Sequence, residues 1–240
     1  GGSALEARPA DSMILVEQGT GKVLFEKNAD EPMPPASITK IMSLLLVMEA
    51  LDSGKIALTD EVTCSEHAAG MGGSQIWLEP GETMTVEELL KASAIASAND
   101  AIVALGEHLA GSEEAFVEQM NRRAAQLGME NTRFVNATGL DAEGHLTTAR
   151  DISAMARELL RHDRIVEYST VWMDSLRGGE TQLVNTNKLV RYYEGCTGLK
   201  TGTTDGAGSC LAASAAREGL SLVAVSLGSA TSADRFDSCR

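Results

Sequence analysis

The stretch that decides the fold is PPASITKIMSLLL, which runs from Pro34 to Leu46. It places a serine and a lysine at the head of the most apolar segment of the chain. The mostly apolar residues that follow predict a helix that is buried on all sides. Ser37 and Lys40 are three residues apart and therefore share one face of that helix. The two prolines fix the entry of the chain and place Ser37 at or near the first helical position.

The first turn of this helix has the parts of an activated nucleophile. The Ser37 N–H lies at the positive end of the helix, where it can donate to an oxyanion. The same positive end disfavours a second cation, so the pKa of Lys40 is expected to fall. A neutral Lys40 can take the proton of Ser37. Taken alone, S-x-x-K is better explained by a capping serine beside a surface lysine, because the pattern arises by chance about once in such a chain.

Composition and charge limit the class of protein. The 240 residues fit one domain, or one domain with a subdomain, and 43% hydrophobic with 22% charged residues is ordinary for a soluble globular protein. The net charge of −14, with no basic cluster, makes a nucleic-acid partner unexpected. Scattered histidines and cysteines disfavour zinc, and no cofactor is expected. At most one disulfide is expected, with Cys196 and Cys210 as the first candidates unless an offset strand register separates them.

Strand patterns lie at both ends of the chain and helical patterns lie between them. SMILVE and KVLFEK flank the turn QGTG, and GLKTGTT, GSCLAASAAR and SLVAVSLG follow Leu183. The intervening helices are expected to break at Ser97–Asp100 and Gly111, and a later one to be capped by Thr147 or Thr148. The predicted fold is therefore α+β: an antiparallel sheet formed from both chain ends and flanked by helices, with a mostly helical subdomain at roughly 62–165.

Two further triplets accompany the serine and lysine of the first helix. SAN at Ser97–Asn99 lies between two helices, and KTG at Lys200–Gly202 lies on a predicted strand with small neighbours. Alone, the first is typical of a helix cap and the second of a strand end with a glycine kink. Together and in this order, S-x-x-K, an S-D-N-type triplet and K-T-G are the combined signature of penicillin-binding proteins and class A β-lactamases.

Longer segments extend this similarity over nearly the whole chain. PASITKIM, SAND, TGLDAEGHLTTARDIS and GLKTGTTDGAGSCLAASA resemble the D-alanyl-D-alanine carboxypeptidases, the low-molecular-mass penicillin-binding proteins. The resemblance implies a β-lactamase/transpeptidase-like fold with the active site in a cleft between sheet and helices. It also implies a serine enzyme of the bacterial cell envelope, outside the cytoplasm. Its expected partners are a peptidoglycan stem peptide ending in D-Ala-D-Ala and β-lactam antibiotics, and no metal or cofactor is implied.

The resemblance also assigns catalytic roles. Ser37 is similar to the family's nucleophile and Lys40 to its general base. Ser97 would relay protons, and Asn99 would bond a substrate amide. Lys200 would face Ser97 and add positive potential.

A second group of residues is expected to bind the substrate. Thr201 and Gly202 would lie along the strand that the peptide follows, where the absent side chain of glycine lets the peptide approach the backbone. The Thr203 N–H would be the second oxyanion donor, beside that of Ser37. Arg235 would meet the terminal carboxylate.

Some features depart from the related β-lactamases. Ala98 stands where they commonly carry Asp, and residues 139–160 contain no Glu-x-x-x-Asn pattern for a deacylating water, so efficient antibiotic hydrolysis is not expected. A β-lactamase or esterase is one rival hypothesis, and the missing water-positioning pattern argues against the β-lactamase. A catalytically silent peptidoglycan-binding module is another, and the intact Ser37, Lys40 and Lys200 argue against it.

The domain assignment follows from the same resemblance. Residues 1–240 are expected to form the catalytic domain. The family's C-terminal β-rich domain and membrane-associating tail are expected to lie beyond this chain, and any membrane association is expected only through them.

Overall fold

A five-stranded antiparallel sheet organises the molecule, seen in a computed structural model that describes residues 12–187, 196–204, 208–217 and 219–229. Its strand order is β2-β1-β9-β8-β7. The first two strands come from the beginning of the chain and the other three from its end, which confirms the predicted fold. Their bounds are Ser12–Glu17 (β1), Val23–Lys27 (β2), Cys196–Thr204 (β7), Gly208–Arg217 (β8) and Leu220–Ser229 (β9).

Helices fill the middle of the chain, as the sequence predicts. They are Lys40–Asp52 (α1), Glu66–Ala69 (α2), Val86–Ala96 (α3), Asn99–Ala110 (α4), Glu113–Gln126 (α5), Ala149–Leu160 (α6) and Arg164–Ser169 (α7). Two small two-stranded antiparallel sheets accompany them and are absent from the sequence-based prediction. These are Glu61–Thr63 (β3) with Thr83–Thr85 (β4), and Met173–Leu176 (β5) with Thr181–Val184 (β6). Across the described ranges, no helix combines the length and apolar character needed to cross a bilayer.

Helix α1 is the centre of the core. Ile41, Met42, Leu45 and Met48 are fully buried along it. It packs against α6, which covers the sheet at β1 and β9, and on its other sides against α4 and α5. An apolar surface all round the helix is what such a central position requires.

The start of this helix differs from the prediction in one respect. Ser37 lies on a 3₁₀ turn, Ala36–Thr39, and the α-helix begins only at Lys40. Ala36 has a φ of +52°, so the chain enters from a left-handed residue that a regular α-turn cannot include. The tighter 3₁₀ turn is a common way to begin a helix.

The helix boundaries follow local capping chemistry. Thr148 accepts a hydrogen bond from the Asp151 N–H at the start of α6, which confirms one of the two predicted caps. Helix α3 ends where Ser97 turns left-handed, and α4 ends at Gly111 with a φ of +92°. The predicted break at 97–100 is narrower in the structure, because α4 already begins at Asn99.

The strand register excludes the candidate disulfide. Cys196 pairs with Ala215, whereas Cys210 pairs with Gly202. The two cysteines are therefore offset by the distance from 196 to 202 along β7, which is about 20 Å. A disulfide needs Cα atoms within about 7 Å, so this hypothesis is wrong. Cys64 is a free, buried thiol, and burial raises its pKa to about 11.

Candidate active site

The nucleophile candidate and the lysine lie where the 3₁₀ turn passes into α1. Ser37 is half-buried, whereas Lys40 has no exposed surface. Burial of a lysine is costly unless its amine is well hydrogen-bonded. The neighbours of this amine therefore define the site.

The Lys40 amine joins two of the predicted motifs. Its Nζ lies 3.4 Å from Ser37 Oγ and 3.1 Å from Ser97 Oγ, and it donates to the carbonyl oxygen of Thr138 at 3.1 Å. Ser37, Lys40 and Ser97 thus meet although 57 residues separate the lysine from the second serine. A neutral amine in this position can exchange protons with either hydroxyl.

The SAN triplet is shaped by the junction of α3 and α4. Ser97 is almost fully buried with a φ of +57°, and this left-handed turn carries its hydroxyl to the lysine. The Asn99 side chain donates from Nδ2 to the Gly72 carbonyl at 2.7 Å, and its backbone N–H donates to the Ser74 carbonyl at 2.7 Å. Within the described part of the chain, the buried Oδ1 of Asn99 has no hydrogen-bond partner. This amide is held in place yet keeps capacity for another ligand.

The KTG segment lies on β7, the edge strand of the sheet. Lys200 pairs with Ala212, and Gly202 with Cys210, so the motif occupies the middle of the β7–β8 ladder. Strand β7 packs against the 3₁₀ turn that carries Ser37. This packing brings the backbone of the KTG motif beside the turn that carries Ser37. Arg235 lies outside the described residues.

The loop of residues 136–139, which the sequence motifs do not include, packs against both Lys40 and the turn that carries Ser37. Thr138 supplies the carbonyl that binds Lys40, and Gly139 lies directly against the peptide bond between Ala36 and Ser37. A Cβ at Gly139 would lie 1.7 Å from the Ala36 carbonyl oxygen. The side-chain Oδ1 of Asn136 shapes this loop by accepting the Gly139 N–H at 2.8 Å. The only sequence signal for this role is the glycine in TGLD, which predicts a turn without indicating its contact.

His145 connects the same loop to the 3₁₀ turn that carries Ser37. Its Nδ1 accepts the Val135 N–H at 2.8 Å, so the proton of the neutral ring lies on Nε2, which donates to Thr39 Oγ1 at 2.8 Å. Burial lowers the pKa of His145 to about 4, and nearby Asp141 opposes that shift. The imidazole is therefore neutral near pH 7 and acts as a fixed link between the turn and the loop.

The described part of the chain has no cluster of metal-binding side chains. Among the residues with described positions, no three His, Cys, Asp or Glu side chains are grouped closely enough to hold a metal ion. Within the described residues, the site offers the hydroxyls of Ser37 and Ser97, the buried Lys40 amine and backbone N–H groups.

Comparisons with known proteins agree with this arrangement. The sequence profile of the D-alanyl-D-alanine carboxypeptidases, peptidase family S11, matches residues 3–231. The chain is 52% identical to D-alanyl-D-alanine carboxypeptidase DacF of Bacillus subtilis, over 95% of this chain and 60% of that protein. It is 41% identical to DacC of Escherichia coli, over 95% of this chain and 58% of that one. The chain therefore belongs to the D-alanyl-D-alanine carboxypeptidase family, and it spans about 60% of the length of these relatives.

Solved structures show the same fold. Penicillin-binding protein 5 from Haemophilus influenzae superposes with a TM-score of 0.92 at 31% identity, over 96% of this chain and 68% of that one. Penicillin-binding protein D2 from Listeria monocytogenes, in its cefotaxime-bound form, gives 0.87 at 32% identity, over 96% and 94% of the two chains. The expected β-lactamase/transpeptidase-like fold is confirmed.

Proposed function

We propose that residues 1–240 form the catalytic domain of a serine-type D-Ala-D-Ala carboxypeptidase that trims peptidoglycan stem peptides outside the cytoplasmic membrane. The observation that carries the proposal is the fully buried Lys40 amine within reach of the Ser37 and Ser97 hydroxyls. Membership of the family supports it. As part of the same proposal, any membrane association is assigned to a segment outside these 240 residues.

The reaction begins with proton transfer from Ser37 Oγ to Lys40 Nζ. The oxygen attacks the carbonyl carbon between the two D-alanines and forms a tetrahedral oxyanion. We expect the pKa of Lys40 to lie below that of a free lysine, because burial and the positive end of α1 both disfavour the ammonium. Its contact with Ser97 Oγ gives the proton a path to the leaving amine. Departure of D-alanine leaves the acyl-enzyme, and water then releases the shortened peptide.

Other residues of the motifs complete the proposed site. The Ser37 and Thr203 N–H groups are the proposed oxyanion donors. Lys200 supplies positive potential, and the substrate peptide lies along Thr201 and Gly202 at the open edge of β7. Asn99 holds an amide of the substrate on the acyl side of the scissile bond. Its buried Oδ1 without a partner in the described part supports that role.

Penicillin should form a long-lived covalent adduct on Ser37. A nucleophile is present, but residues 139–160 lack a Glu-x-x-x-Asn pattern that could position a deacylating water. Mass spectrometry of the treated, digested protein should show the mass gain only on the peptide that carries Ser37. Ser37→Ala should remove the gain, and Ser53→Ala, at the end of α1, should keep it. A gain elsewhere, or rapid release of hydrolysed penicillin, would favour the rival hypotheses.

Arg235 is proposed to bind the terminal carboxylate of the substrate. The guanidinium is a planar donor that matches a carboxylate, and Arg235→Ala should cost about 2–4 kcal/mol of transition-state stabilisation on peptides ending in D-Ala-D-Ala. The loss should be far smaller on a thioester that lacks the carboxylate. Arg161→Ala, whose side chain is largely exposed, is the matched control and should change neither rate. Equal losses on both substrate types would assign Arg235 to the fold instead.

A further inference from the structure

Trp77 combines high exposure with an unfavourable backbone conformation. Its side chain is 72% exposed, the highest value among the large hydrophobic residues of the described chain. Its φ is +59°, a region that costs a non-glycine residue about 1–2 kcal/mol. An exposed indole adds little to the core that could offset this cost. Such strain persists only where the surroundings enforce it, and it is concentrated at functional sites.

A buried carboxylate holds the backbone of Trp77 in this conformation through the N–H groups of the two neighbouring residues. Asp100 is fully buried, and its two oxygens accept the N–H groups of Ile76 at 3.1 Å and Leu78 at 2.9 Å. These are the residues on either side of Trp77. Hydrogen bonds to a charged acceptor are stronger than neutral ones, so Asp100 fixes both ends of the turn.

An arginine holds the same backbone conformation of Trp77 through hydrogen bonds to backbone carbonyl groups. Arg177 donates to the Ile76 carbonyl at 2.6 Å and to the Trp77 carbonyl at 3.4 Å. Glu82 holds the guanidinium by two hydrogen bonds of 2.8 and 2.9 Å. The direction in which the indole projects is therefore set by the surrounding charged residues.

The same segment borders the proposed substrate amide site. The carbonyls of Gly72 and Ser74 accept the two hydrogen bonds of Asn99, and Asp100 is the next residue of the chain. Trp77 is three residues beyond Ser74, and its Cα is thus at most about 11 Å from that of Ser74. Trp77 therefore belongs to the segment that borders Asn99, the proposed partner of the substrate amide on the acyl side of the scissile bond.

We propose that Trp77 is a substrate-specificity residue whose indole packs on the side chain that precedes the D-Ala-D-Ala pair. The inference rests on the proposed function and extends it to the third residue from the end of the peptide. A long aliphatic side chain can lay its methylene groups on the indole while its polar end stays in water. A peptide whose amide is held at Asn99 would bring the side chain of its next residue towards the segment that carries Trp77.

Two synthetic peptides test the inference. They are diacetyl-L-lysyl-D-Ala-D-Ala and acetyl-glycyl-D-Ala-D-Ala, which differ in the side chain that Trp77 is proposed to contact. The ratio of kcat/KM for the lysyl over the glycyl peptide should fall about tenfold in Trp77→Ala. Trp77→Phe should keep most of the preference. Phe25→Ala removes a half-exposed aromatic from β2, at the opposite edge of the sheet, and should leave the ratio unchanged.

Fluorescence provides a second readout that needs no turnover. The chain has two tryptophans, so Trp172→Phe leaves Trp77 as the single indole. With Ser37→Ala added, titration with the lysyl peptide should shift the emission to shorter wavelength as the indole is covered. The glycyl peptide should produce a smaller shift.

Each other outcome has a defined meaning. An equal fall in kcat/KM for both peptides would assign Trp77 to the fold and overturn the inference. An effect that appears only with a disaccharide-linked peptide would place the sugar on the indole and also overturn it. A wild-type protein that cleaves neither peptide would overturn the proposed function, and the inference with it, so the two failures are distinguishable.

Discussion

Lys40→Arg should reduce acylation of Ser37 by about 10³-fold or more. General-base catalysis contributes about 10²–10⁴-fold to such reactions, and a guanidinium stays protonated at any usable pH. The larger cation must also fit where Lys40 now contacts two hydroxyls and a carbonyl without any exposed surface. The measurement is the second-order rate constant for adduct formation with a fluorescent penicillin. Near-normal acylation of a folded variant would show that the base is another residue.

The same hypothesis fixes the sign of the pH dependence. Acylation in the wild type should slow as the pH falls through the Lys40 pKa, because the ammonium cannot accept the serine proton. Lys91→Arg is the matched control, since Lys91 lies on α3, is partly exposed and pairs with Glu87 and Asp174. It should leave both the rate and the pH profile unchanged. Thermal unfolding of each variant separates loss of the base from loss of the fold.

Much of the site could be predicted because each motif lies on a regular element. The spacing of Ser37 and Lys40, the apolar helix behind them and the strand patterns at both chain ends are local properties of the sequence. These properties place the serine at the entry of a buried helix and KTG on a sheet strand. The contact of Ser97 with the amine then follows from the order of the motifs and the family resemblance.

The contacts between distant segments could not be predicted. His145 contacts Thr39 across 106 residues, and Thr138 contacts Lys40 across 98. Nothing in a single sequence specifies such pairs. The offset of Cys196 and Cys210 depends on strand register. The strands of the two small two-stranded sheets have only three or four residues, which is too short to show an alternation of apolar and polar residues.

Backbone strain occurs at each of the three motifs, and no sequence pattern reveals it. Ala36 precedes Ser37 with a φ of +52°, Ser97 is itself left-handed, and Leu199 precedes Lys200 with a φ of +91°. A non-glycine residue in this region costs about 1–2 kcal/mol. Each of these residues changes the chain direction just where a functional side chain or backbone group must be aimed. The strain is therefore part of how the fold builds the site.

Gly139→Ala should cause the largest effect of any single change outside the three motifs. The new Cβ would lie 1.7 Å from the Ala36 carbonyl oxygen and 2.8 Å from the Ser37 nitrogen, and protein Cβ contacts are almost never closer than 3.0 Å. The turn that carries Ser37 must therefore move by more than about 1 Å, a misplacement of a catalytic group that costs about 100-fold in rate. Left-handed strain and overpacking should together lower the free energy of unfolding by about 2–5 kcal/mol.

Gly144→Ala separates the effect of the new Cβ contact from the cost of placing alanine in a left-handed backbone conformation. Gly144 lies in the same loop with a φ of +78°, but a Cβ there would meet only the end of the Arg133 side chain, at 3.9 Å. This variant should lose only the conformational cost of about 1–2 kcal/mol and should acylate at the wild-type rate. The comparison uses chemical denaturation for stability and penicillin acylation for the site. If Gly139→Ala acylates as fast as Gly144→Ala, then the loop does not fix the position of Ser37, and its role is limited to the carbonyl that Thr138 offers to Lys40.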